Sequence, residues 1–437
     1  MVALALLTLT LVLQDWPQWR GPSFDGASAV TGLPHELSKE KGVRWSAELP
    51  GPGAATPIVL AERVFVSAAV EDTGLLALCL DARTGSLQWE DEAGSGYRPG
   101  GKGSKARRDD RSDYASPSPV AHPDGVIFSF GNGDLVAYDL AGQRRWARNL
   151  QKELGDFAFQ WTFGASPTLF AGRLFLPVLQ RDRPTDGAPS ADPIASFLLA
   201  LDPATGKTLF QVTRPAPAQM ESLESYASII PCNADGRAEL LVVGGDVLTA
   251  HDPATGAELW RWGTWNEGHR EKWWRIVPSP VVGAGRVLVC APKRAPVYAL
   301  ELGGSGQRGD EALAWKSAGR PNPVSSDVPT PLFYRGRFFV LSESGVLSRV
   351  EPATGKVEWS TELPEREPWE ASPTGADGRV WCVSHTGLVT GVDAESGAIR
   401  VLGAMGEEDE GPTRSSLAAA HGALFLRTSG RLLCIGN

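Results

Sequence analysis

The chain has 437 residues, of which 42% are hydrophobic and 21% are charged, so it is long enough for two or three ordinary domains or for one large repetitive domain. Its formal net charge of −9 disfavours nucleic-acid binding, because phosphate contacts require a basic surface. The five cysteines are scattered and no C-x-x-C pair occurs, which excludes c-type haem attachment and disfavours a disulfide framework.

The chain opens with an apolar run over residues 2–13, which is too short to cross a bilayer and has the length of a signal-peptide core. We therefore predict a signal peptide over residues 1–14, a leader over 15–41 and one repetitive domain over 42–437. No cysteine stands directly after the apolar run, where a lipid anchor would be attached. No later segment reaches membrane-spanning length. We expect a protein exported to the periplasm or the extracellular space, without a lipid anchor at its N-terminus or a transmembrane span.

Beyond the leader, one unit recurs eight times. It begins with a Ser-Pro or Thr-Pro pair or a serine, passes a turn into alternating apolar residues, and usually ends with a Thr-Gly turn followed by Trp. Apolar alternation predicts strands, and four short strands repeated at this spacing predict propeller blades. The units span residues 56–89, 116–146, 166–210, 228–260, 279–315, 330–359, 372–401 and 416–437.

The eighth unit lacks its final Trp strand, whereas "GVRWSAEL" at residues 42–49 is a Trp strand with no unit before it. A ring closed by this N-terminal strand accounts for both facts and removes exposed sheet edges. We therefore predict an all-β fold, an eight-bladed β-propeller of four-stranded antiparallel blades. Trp45 should occupy the place in blade eight that Trp260 has in blade four, and the ring is expected to be a monomer.

One phrase recurs at the third turn of the unit: "HDPATGAELW" at residues 251–260 is close to "LDPATGKTLF" at 201–210 and "VEPATGKVEW" at 350–359. Its Asp can accept bonds from backbone amides, its Pro presets φ, and its Gly supplies a positive φ. We interpret the phrase as structural, a tight turn followed by a Trp that packs between sheets. The assigned residues are Asp81, Gly85, Trp89, Asp202, Gly206, Asp252, Gly256, Trp260, Gly355 and Trp359.

The pattern A-x-D-x-x-T-G-x-x-x-W is similar to the tryptophan-docking motif of the PQQ-like (pyrroloquinoline-quinone repeat) β-propellers. Residues 250–260 match it fully, and residues 200–210 and 79–89 match with Phe210 and Cys79 at substituted positions. The resemblance extends over residues 42–437 and implies the propeller fold. It leaves the function open, because this superfamily includes both quinoprotein alcohol dehydrogenases and the non-enzymatic BamB.

In the dehydrogenases, the resemblance implies a quinone between a Trp and a ring of adjacent cysteines, with Ca²⁺ held by carboxylate and amide groups. This sequence has no adjacent cysteines, no acidic cluster typical of a calcium site and no histidine pair at metal-ligand spacing. We therefore expect no catalytic residue, no metal site and no cofactor. PQQ with calcium belongs to the alternative interpretation.

Loop lengths distinguish the two faces of the predicted ring. The first and third turns of the units are mostly short and lie on one face, here called the trim face. The longest insertions lie on the other, the loop-rich face, as at residues 147–164, 211–227 and 261–277. Because binding residues concentrate on loops that a rigid scaffold carries, we expect the site on the loop-rich face.

Aromatic and basic residues alternate in these loops and predict a platform for a planar anionic ligand or a partner peptide. The alternative is that the rings only fill gaps between blades. Polar residues near the starts of the inner strands should surround the mouth of the channel. The candidates are Trp161, Trp265, Arg270, Trp273, Trp274 and Arg275 for the platform, and Asp113, Tyr114, Glu224, Tyr226, Asp327, Glu370 and Arg414 for the mouth.

A complete set of blades without recognisable redox residues favours an exported, non-catalytic scaffold that is broadly like BamB. Such a scaffold would bind an envelope or secreted protein partner, or a small ligand. The alternative function is a PQQ-dependent oxidoreductase that acts on an alcohol or a sugar. A carbohydrate-binding propeller is a further hypothesis, because exposed tryptophan rings stack on sugars.

Overall fold

The chain folds almost entirely into β-strands. The computed structural model describes residues 14–70, 74–99, 113–185, 192–263, 265–319 and 324–437. Of the predicted signal peptide, only Gln14 lies within these ranges, so the remainder of that prediction falls outside the described residues. No helix within the described ranges is long and apolar enough to cross a membrane.

The first half of the chain supplies the closing strand and blades one to four. The closing strand is β1 (Val43–Glu48), and blade one contains β2 (Ile58–Leu60), β3 (Arg63–Val70), β4 (Gly74–Asp81) and β5 (Leu87–Glu92). Blade two contains β6 (Val120–His122), β7 (Gly125–Ser129), β8 (Asp134–Tyr138) and β9 (Arg144–Asn149), and blade three contains β10 (Thr168–Phe170), β11 (Arg173–Val178), β12 (Phe197–Leu201) and β13 (Thr208–Thr213). Blade four contains β14 (Ile230–Ala234), β15 (Arg237–Gly244), β16 (Val247–His251) and β17 (Glu258–Trp262). The helical elements of this half are α1 (Leu150–Leu154) and the 3-10 turns Met220–Leu223 and Glu267–His269.

The second half supplies blades five to eight. Its strands are β18 (Val281–Gly283), β19 (Arg286–Cys290), β20 (Val297–Glu301) and β22 (Leu313–Lys316) in blade five; β21 (Gly306–Gln307) in the third turn of that blade; β23 (Leu332–Tyr334), β24 (Arg337–Leu341), β25 (Val346–Val350) and β26 (Val357–Glu362) in blade six; β27 (Thr374–Ala376), β28 (Arg379–Val383), β29 (Leu388–Asp393) and β30 (Ile399–Ala404) in blade seven; and β31 (Ala418–Ala420), β32 (Ala423–Arg427) and β33 (Arg431–Ile435) in blade eight. One 3-10 turn, Asp310–Ala312, precedes β22.

Eight antiparallel sheets form a closed ring, which confirms the predicted eight-bladed propeller. In each blade the four strands follow chain order from the channel outward, and blade eight takes β1 as its outermost strand. Trp45 pairs with Cys434 in blade eight just as Trp260 pairs with Ala250 in blade four. The predicted closure and its register are therefore confirmed.

The recurring phrase folds as the tight turn that its residues predict. Asp252 accepts hydrogen bonds from the amides of Ala254 and Thr255, both at 2.8 Å. In blade six Glu351 replaces the aspartate and still accepts from the amide of Thr354 at 2.8 Å. The longer carboxylate thus preserves the turn.

The closing aromatic ring of one blade lies on the turn glycine of the next blade. A methyl group on Gly206 would come within 2.8 Å of the Trp146 ring, and one on Gly256 within 2.6 Å of Phe210. Trp146 Nε1 also donates a hydrogen bond to Pro203 O in the same turn, at 2.9 Å. The motif glycine therefore supplies a positive φ and also leaves room for a neighbouring ring. The other pairs of this kind are Trp45–Gly85, Trp89–Gly142, Trp315–Gly355 and Trp359–Gly397.

Blades four and five are joined differently, because residues 302–312 replace the tight turn of blade five. Strand β21 in this insertion pairs in parallel with β17, the outer strand of blade four. The Arg308 guanidinium lies 5.0 Å from the Trp260 ring centroid, and Trp260 Nε1 donates to Glu239 Oε2 at 2.9 Å. The insertion covers the outer edge of blade four, where an open strand edge would otherwise invite pairing with another chain.

Hydroxyl groups link the blades around the channel. The backbone amide at the start of each inner strand donates to a hydroxyl oxygen at the same place in the next blade, as from Thr56 N to Ser118 Oγ at 2.9 Å. Seven such bonds of 2.9–3.0 Å run from blade one to blade eight. We call this circle the hydroxyl collar; it comprises Thr56, Ser118, Ser166, Ser228, Ser279, Thr330, Ser372 and Ser416.

The leader crosses the trim face and contacts blades on opposite sides of the ring. Asp15 accepts hydrogen bonds at 2.8 Å from the Ala61 amide in blade one and from His421 in blade eight. Gln18 Oε1 accepts from the amide of Leu169 in blade three at 2.9 Å. The leader therefore belongs to the folded ring and closes the channel on this face.

At the centre of the leader, Arg20 is only 1% exposed. Its guanidinium donates to the carbonyl oxygens of Pro331 at 2.8 Å and Pro373 at 2.9 Å, in blades six and seven. Burial lowers the pKa of Arg20 to about 10, while the nearby carboxylate of Asp25 opposes this shift. Arg20 therefore remains charged at neutral pH inside the ring.

We predict that Gly206→Ala destabilises the propeller more than Gly172→Ala. Both residues have positive φ, +71° and +72°, so alanine at either position incurs backbone strain of about 1–2 kcal/mol. Only Gly206 lies against a ring, which adds about 1–3 kcal/mol of overpacking, whereas Cβ at position 172 meets nothing within 4 Å. Thermal and urea unfolding of both variants measures the difference. Equal losses would contradict the proposed contact between the ring and the glycine.

Candidate functional site

A cavity of about 700 Å³ lies on the ring axis and opens on the loop-rich face. Seven of the eight collar residues, all except Ser279, form its lower wall, and Trp19 of the leader contributes to its floor. Loops between strands and between blades form its upper wall. Its volume is that of small-molecule sites. The charged and aromatic residues of this central cavity are Trp19, Trp161, Tyr226, Arg275, Lys293, Arg294, Asp327, Glu343, Arg366, Glu370 and Arg414.

Five of these side chains are basic and three are acidic, and each acidic group already has a partner. Arg414 donates to Glu370 at 2.8 Å, and Arg294 donates to Glu343 at 3.3 Å. Asp327 accepts a backbone amide of the same wall at 2.6 Å. Basic side chains therefore outnumber acidic ones by two in this wall.

Glu370 is the carboxylate with the largest pKa change in the cavity wall. His385 Nε2 and Arg414 Nε both donate to its Oε2, each at 2.8 Å. Burial acting alone would raise the pKa of Glu370, but the hydrogen bonds and charges of His385 and Arg414 outweigh it and lower the pKa to about 2. Glu370 is thus ionised at neutral pH and holds Arg414 at the cavity wall.

Trp161 and Arg275 form the aromatic part of the wall. The Arg275 guanidinium lies 6.0 Å from the Trp161 ring centroid, within cation–π range, and donates to Glu221 at 3.2 Å. These two contacts fix the guanidinium beside the ring. A planar or anionic group that enters the cavity would meet both.

Beneath Trp161, a buried group of polar side chains joins the loops. The carboxylate of Glu224 is paired with Arg181 and accepts from Tyr226 Oη at 2.5 Å and from the Gln160 amide at 3.0 Å. Burial raises the pKa of Glu224, although the charge of Arg181 opposes this shift. Burial and the adjacent Glu224 raise the pKa of Tyr226 well above its usual value, so its hydroxyl stays protonated.

Four loops of blades three to five interlock above this group. Ser225 N donates to Leu179 O at 3.0 Å, and Tyr226 N donates to Ile276 O at 2.9 Å. These backbone bonds fix the loops to one another. We call this surface the loop platform; it comprises residues 157–161, 179–181, 220–226 and 265–276.

Six of the thirteen predicted site residues line the central cavity: Trp161, Tyr226, Arg275, Asp327, Glu370 and Arg414. Arg270, Trp273 and Trp274 lie on the loop platform, and Glu224 lies buried beneath it. Asp113 and Tyr114 are not part of the cavity wall; Asp113 is bonded to the hydroxyl of Ser116, and Tyr114 is buried. Ligand or partner binding by any of these residues stays a prediction.

Trp265, a candidate of the predicted platform, is buried instead of facing solvent. Its side chain is 6% exposed and packs against Trp262, with ring centroids 5.6 Å apart, in a core cluster that includes Tyr298 of blade five. Trp265 therefore fits the alternative interpretation, in which the aromatic rings fill gaps between blades. Asn266, the next residue, is bonded to Asp246 at 2.8 Å, which fixes the loop in this inward course.

Several residues of the cavity were absent from the sequence prediction. They are Trp19, Lys293, Arg294, Glu343, Arg366 and the hydroxyl collar. The sequence did contain a signal for the collar, because every unit begins with a serine or a threonine. That these residues face the channel follows only from the order of the strands in each blade. Trp19 precedes the repeats, so only the path of the leader reveals its place at the floor.

The cavity residues do not fit a calcium-bound quinone. The three carboxylates of the wall are engaged as described above, and the described part of the chain contains no group of three His, Cys, Asp or Glu residues that could hold a metal ion. All five cysteines are free thiols that lie apart in sequence, so the ring of adjacent cysteines is missing.

Comparison with known proteins points to one fold and two kinds of protein. The sequence model of the family described as outer membrane protein assembly factor BamB matches residues 17–160 and 244–435. None of the curated proteins matches the chain.

Solved structures similar to this ring include BamB from Moraxella catarrhalis, with 14% identity, a TM-score of 0.59 and coverage of 90% of this chain and 98% of that one. A europium-containing methanol dehydrogenase has 12% identity, a TM-score of 0.68 and coverage of 95% and 90%. The quinohemoprotein alcohol dehydrogenase from Comamonas testosteroni has 14% identity, a TM-score of 0.64 and coverage of 97% and 81%. At these identities the structural likeness shows the fold alone.

We predict that Glu370→Gln loses stability at neutral pH and that the loss shrinks in acid. The native pKa of about 2 lies below the ordinary 4.5, so the ionised group stabilises the native state above pH 4.5, and this contribution falls as the pH falls toward 2. Thermal unfolding of both proteins at pH 7, 4 and 3 measures the change. A difference that is constant over this range would contradict the assignment.

Proposed function

We propose that this chain is an exported, non-catalytic scaffold that binds a partner protein on its loop-rich face. It belongs to the family described as outer membrane protein assembly factor BamB. The observation that carries this proposal is an exposed aromatic residue on an interlocked loop surface. The apolar run at residues 2–13 supports export.

Trp273 is 54% exposed although it lies in loops that are held together by backbone bonds. The guanidinium of Arg181 lies 5.9 Å from its ring centroid. Met220, 41% exposed, belongs to the 3-10 turn whose Ser222 amide bonds to Lys272 O at 3.1 Å. An exposed tryptophan and an exposed methionine on loops that are bonded to each other are typical of the anchor of a protein interface.

The charges near this anchor indicate the chemistry of the partner. Arg270 and Lys272 are exposed in the same loop, as are Glu267 and Glu271, and Arg181 supports the ring of Trp273. Glu224, the acidic residue that pairs with Arg181, is fully buried and presents no charge to a partner. A partner segment with an apolar side chain flanked by charges of both signs, including a carboxylate opposite Arg270, would therefore complement the platform.

We predict that a photo-crosslinking amino acid in place of Trp273 gives a discrete adduct in intact cells. The matched control places the same amino acid at Leu87, which is also 54% exposed but lies at the start of β5 on the trim face. Adding Arg270→Glu to the first variant should weaken the adduct several-fold, because it reverses one charge beside the anchor. Electrophoresis and mass spectrometry of the adduct provide the measurement.

The outcomes of this experiment separate a specific partner from general adhesion. An adduct at position 273 that is absent at position 87 and sensitive to Arg270→Glu supports the proposal. The same adducts at both positions, or none at position 273, would refute partner binding by the platform.

The similarity to dehydrogenase structures supports testing a quinoprotein as the second candidate. That candidate needs PQQ to bind with Ca²⁺, whereas the engaged carboxylates of the central cavity oppose a calcium site. We predict no stoichiometric heat in a calorimetric titration of the full chain with PQQ and Ca²⁺. Dye-linked oxidation of alcohols and sugars should likewise stay at the level without PQQ. Saturable uptake of one quinone per chain would favour the enzyme and overturn the non-catalytic scaffold.

A further inference from the structure

We infer that the hydroxyl collar, together with the cations above and below it, is a binding site for a small multivalent anion whose oxygens are carboxylate or phosphate. This site lies inside the ring and does not depend on partner binding by the loop platform. Three features of the structure carry the inference: the unused donors of the collar, the buried Arg20 beneath it, and the excess of basic side chains above it.

The collar presents hydrogen-bond donors toward the cavity. A hydroxyl group has one donor and two acceptor sites, and in the collar the backbone of the preceding blade takes an acceptor site. Six of these accepting hydroxyl groups also line the cavity, and the described part of the chain supplies no acceptor for their hydrogens. They belong to Ser118, Ser166, Ser228, Thr330, Ser372 and Ser416.

These serine and threonine residues are all at least nine-tenths buried. Buried donors without a partner are costly, so an acceptor inside the cavity satisfies them. Neutral water offers both donors and acceptors, whereas a carboxylate or phosphate group offers acceptors only and also carries charge. A circle of hydrogen-bond donors around one axis therefore suits a compact anionic ligand better than a planar aromatic one.

Arg20 places a positive charge directly below the collar. Its guanidinium bonds the carbonyl oxygens of Pro331 and Pro373, which are the residues that follow Thr330 and Ser372 of the collar. The Nε atom of Arg20 is buried without a hydrogen-bond partner among the described residues. The nearest compensating charge is Asp25, whose carboxylate accepts from the Ala27 amide at 2.9 Å rather than from the guanidinium.

Above the collar, the cavity wall carries two more basic than acidic side chains; one of the basic groups, Arg275, is paired with Glu221 outside the wall, and Arg366 is exposed at the rim. Trp19 contributes to the floor on the leader side, so a ligand enters and leaves through the loop-rich face. An excess of positive charge in the wall of a cavity raises the local concentration of anions. The arrangement attracts an anion electrostatically and offers it hydrogen bonds at the bottom of the cavity.

Isothermal titration of the full chain with citrate and with pyrophosphate tests this site and distinguishes carboxylate from phosphate ligands. Glycerol serves as a neutral control. We expect saturable binding of one anion per chain, weakened as salt rises. The double variant Ser166→Ala/Ser372→Ala should weaken that binding about tenfold or more, because a hydrogen bond to a charged group contributes at least that factor.

The matched control is Ser279→Ala. Ser279 accepts the same kind of amide bond, from Ser228 N at 2.9 Å, but is not part of the cavity wall. This variant removes an equivalent structural bond, and its anion affinity should stay within twofold of the parent. Circular dichroism confirms that each variant is folded before titration.

The inference is overturned if neither anion binds the folded parent at millimolar concentration, or if Ser279→Ala weakens binding as much as the double variant. It is also overturned if glycerol competes as well as the anions do. The adducts at Trp273 report separately on partner binding, so the two proposals can fail independently.

Discussion

Six of the eight junctions between blades are held by a flat aromatic ring that lies on the turn glycine of the next blade. The glycine belongs to a turn that needs positive φ, and the ring belongs to the outer strand of the preceding blade, as for Trp146 on Gly206. One residue thus sets both the turn and the distance between blades. The circle of hydroxyl-to-amide bonds repeats this linkage at the inner ends of the blades. Together the outer and inner contacts determine a closed ring.

The sequence was sufficient for the architecture because turn chemistry and strand alternation are local. The place of Trp45 in blade eight follows from one missing strand and one surplus strand, and the register confirms it. The neighbour on which each ring lies could not be read from the repeat, since Trp260 has the motif and yet contacts Arg308 and Glu239. There the insertion at residues 302–312 replaces the turn that would have carried the glycine.

The site was predicted less completely, because burial is decided by contacts between distant segments. Trp265 and Trp273 lie in the same loop. The ring of Trp265 packs on Trp262, whereas the ring of Trp273 faces solvent. Their difference depends on the backbone bonds that fix this loop to residues 220–226, which no single-sequence pattern encodes. The basic residues of blade five, Lys293 and Arg294, join the cavity only because the second turn of that blade points along the ring axis.

The leader makes the two faces chemically unequal. By bonding blades one, three and eight on the trim face, it closes the channel there and turns a through-passage into a cavity with one entrance. Closure also brings a charged arginine into the ring, where carbonyl oxygens of inner strands solvate it and water is excluded. A buried charge is expensive, and here the carbonyl oxygens and the nearby carboxylate of Asp25 offset part of that cost. Two carboxylates of the wall are held by Arg414 and Arg294, so the anion proposed for the cavity would meet the hydroxyl donors of the collar and, beneath them, the positive field of Arg20.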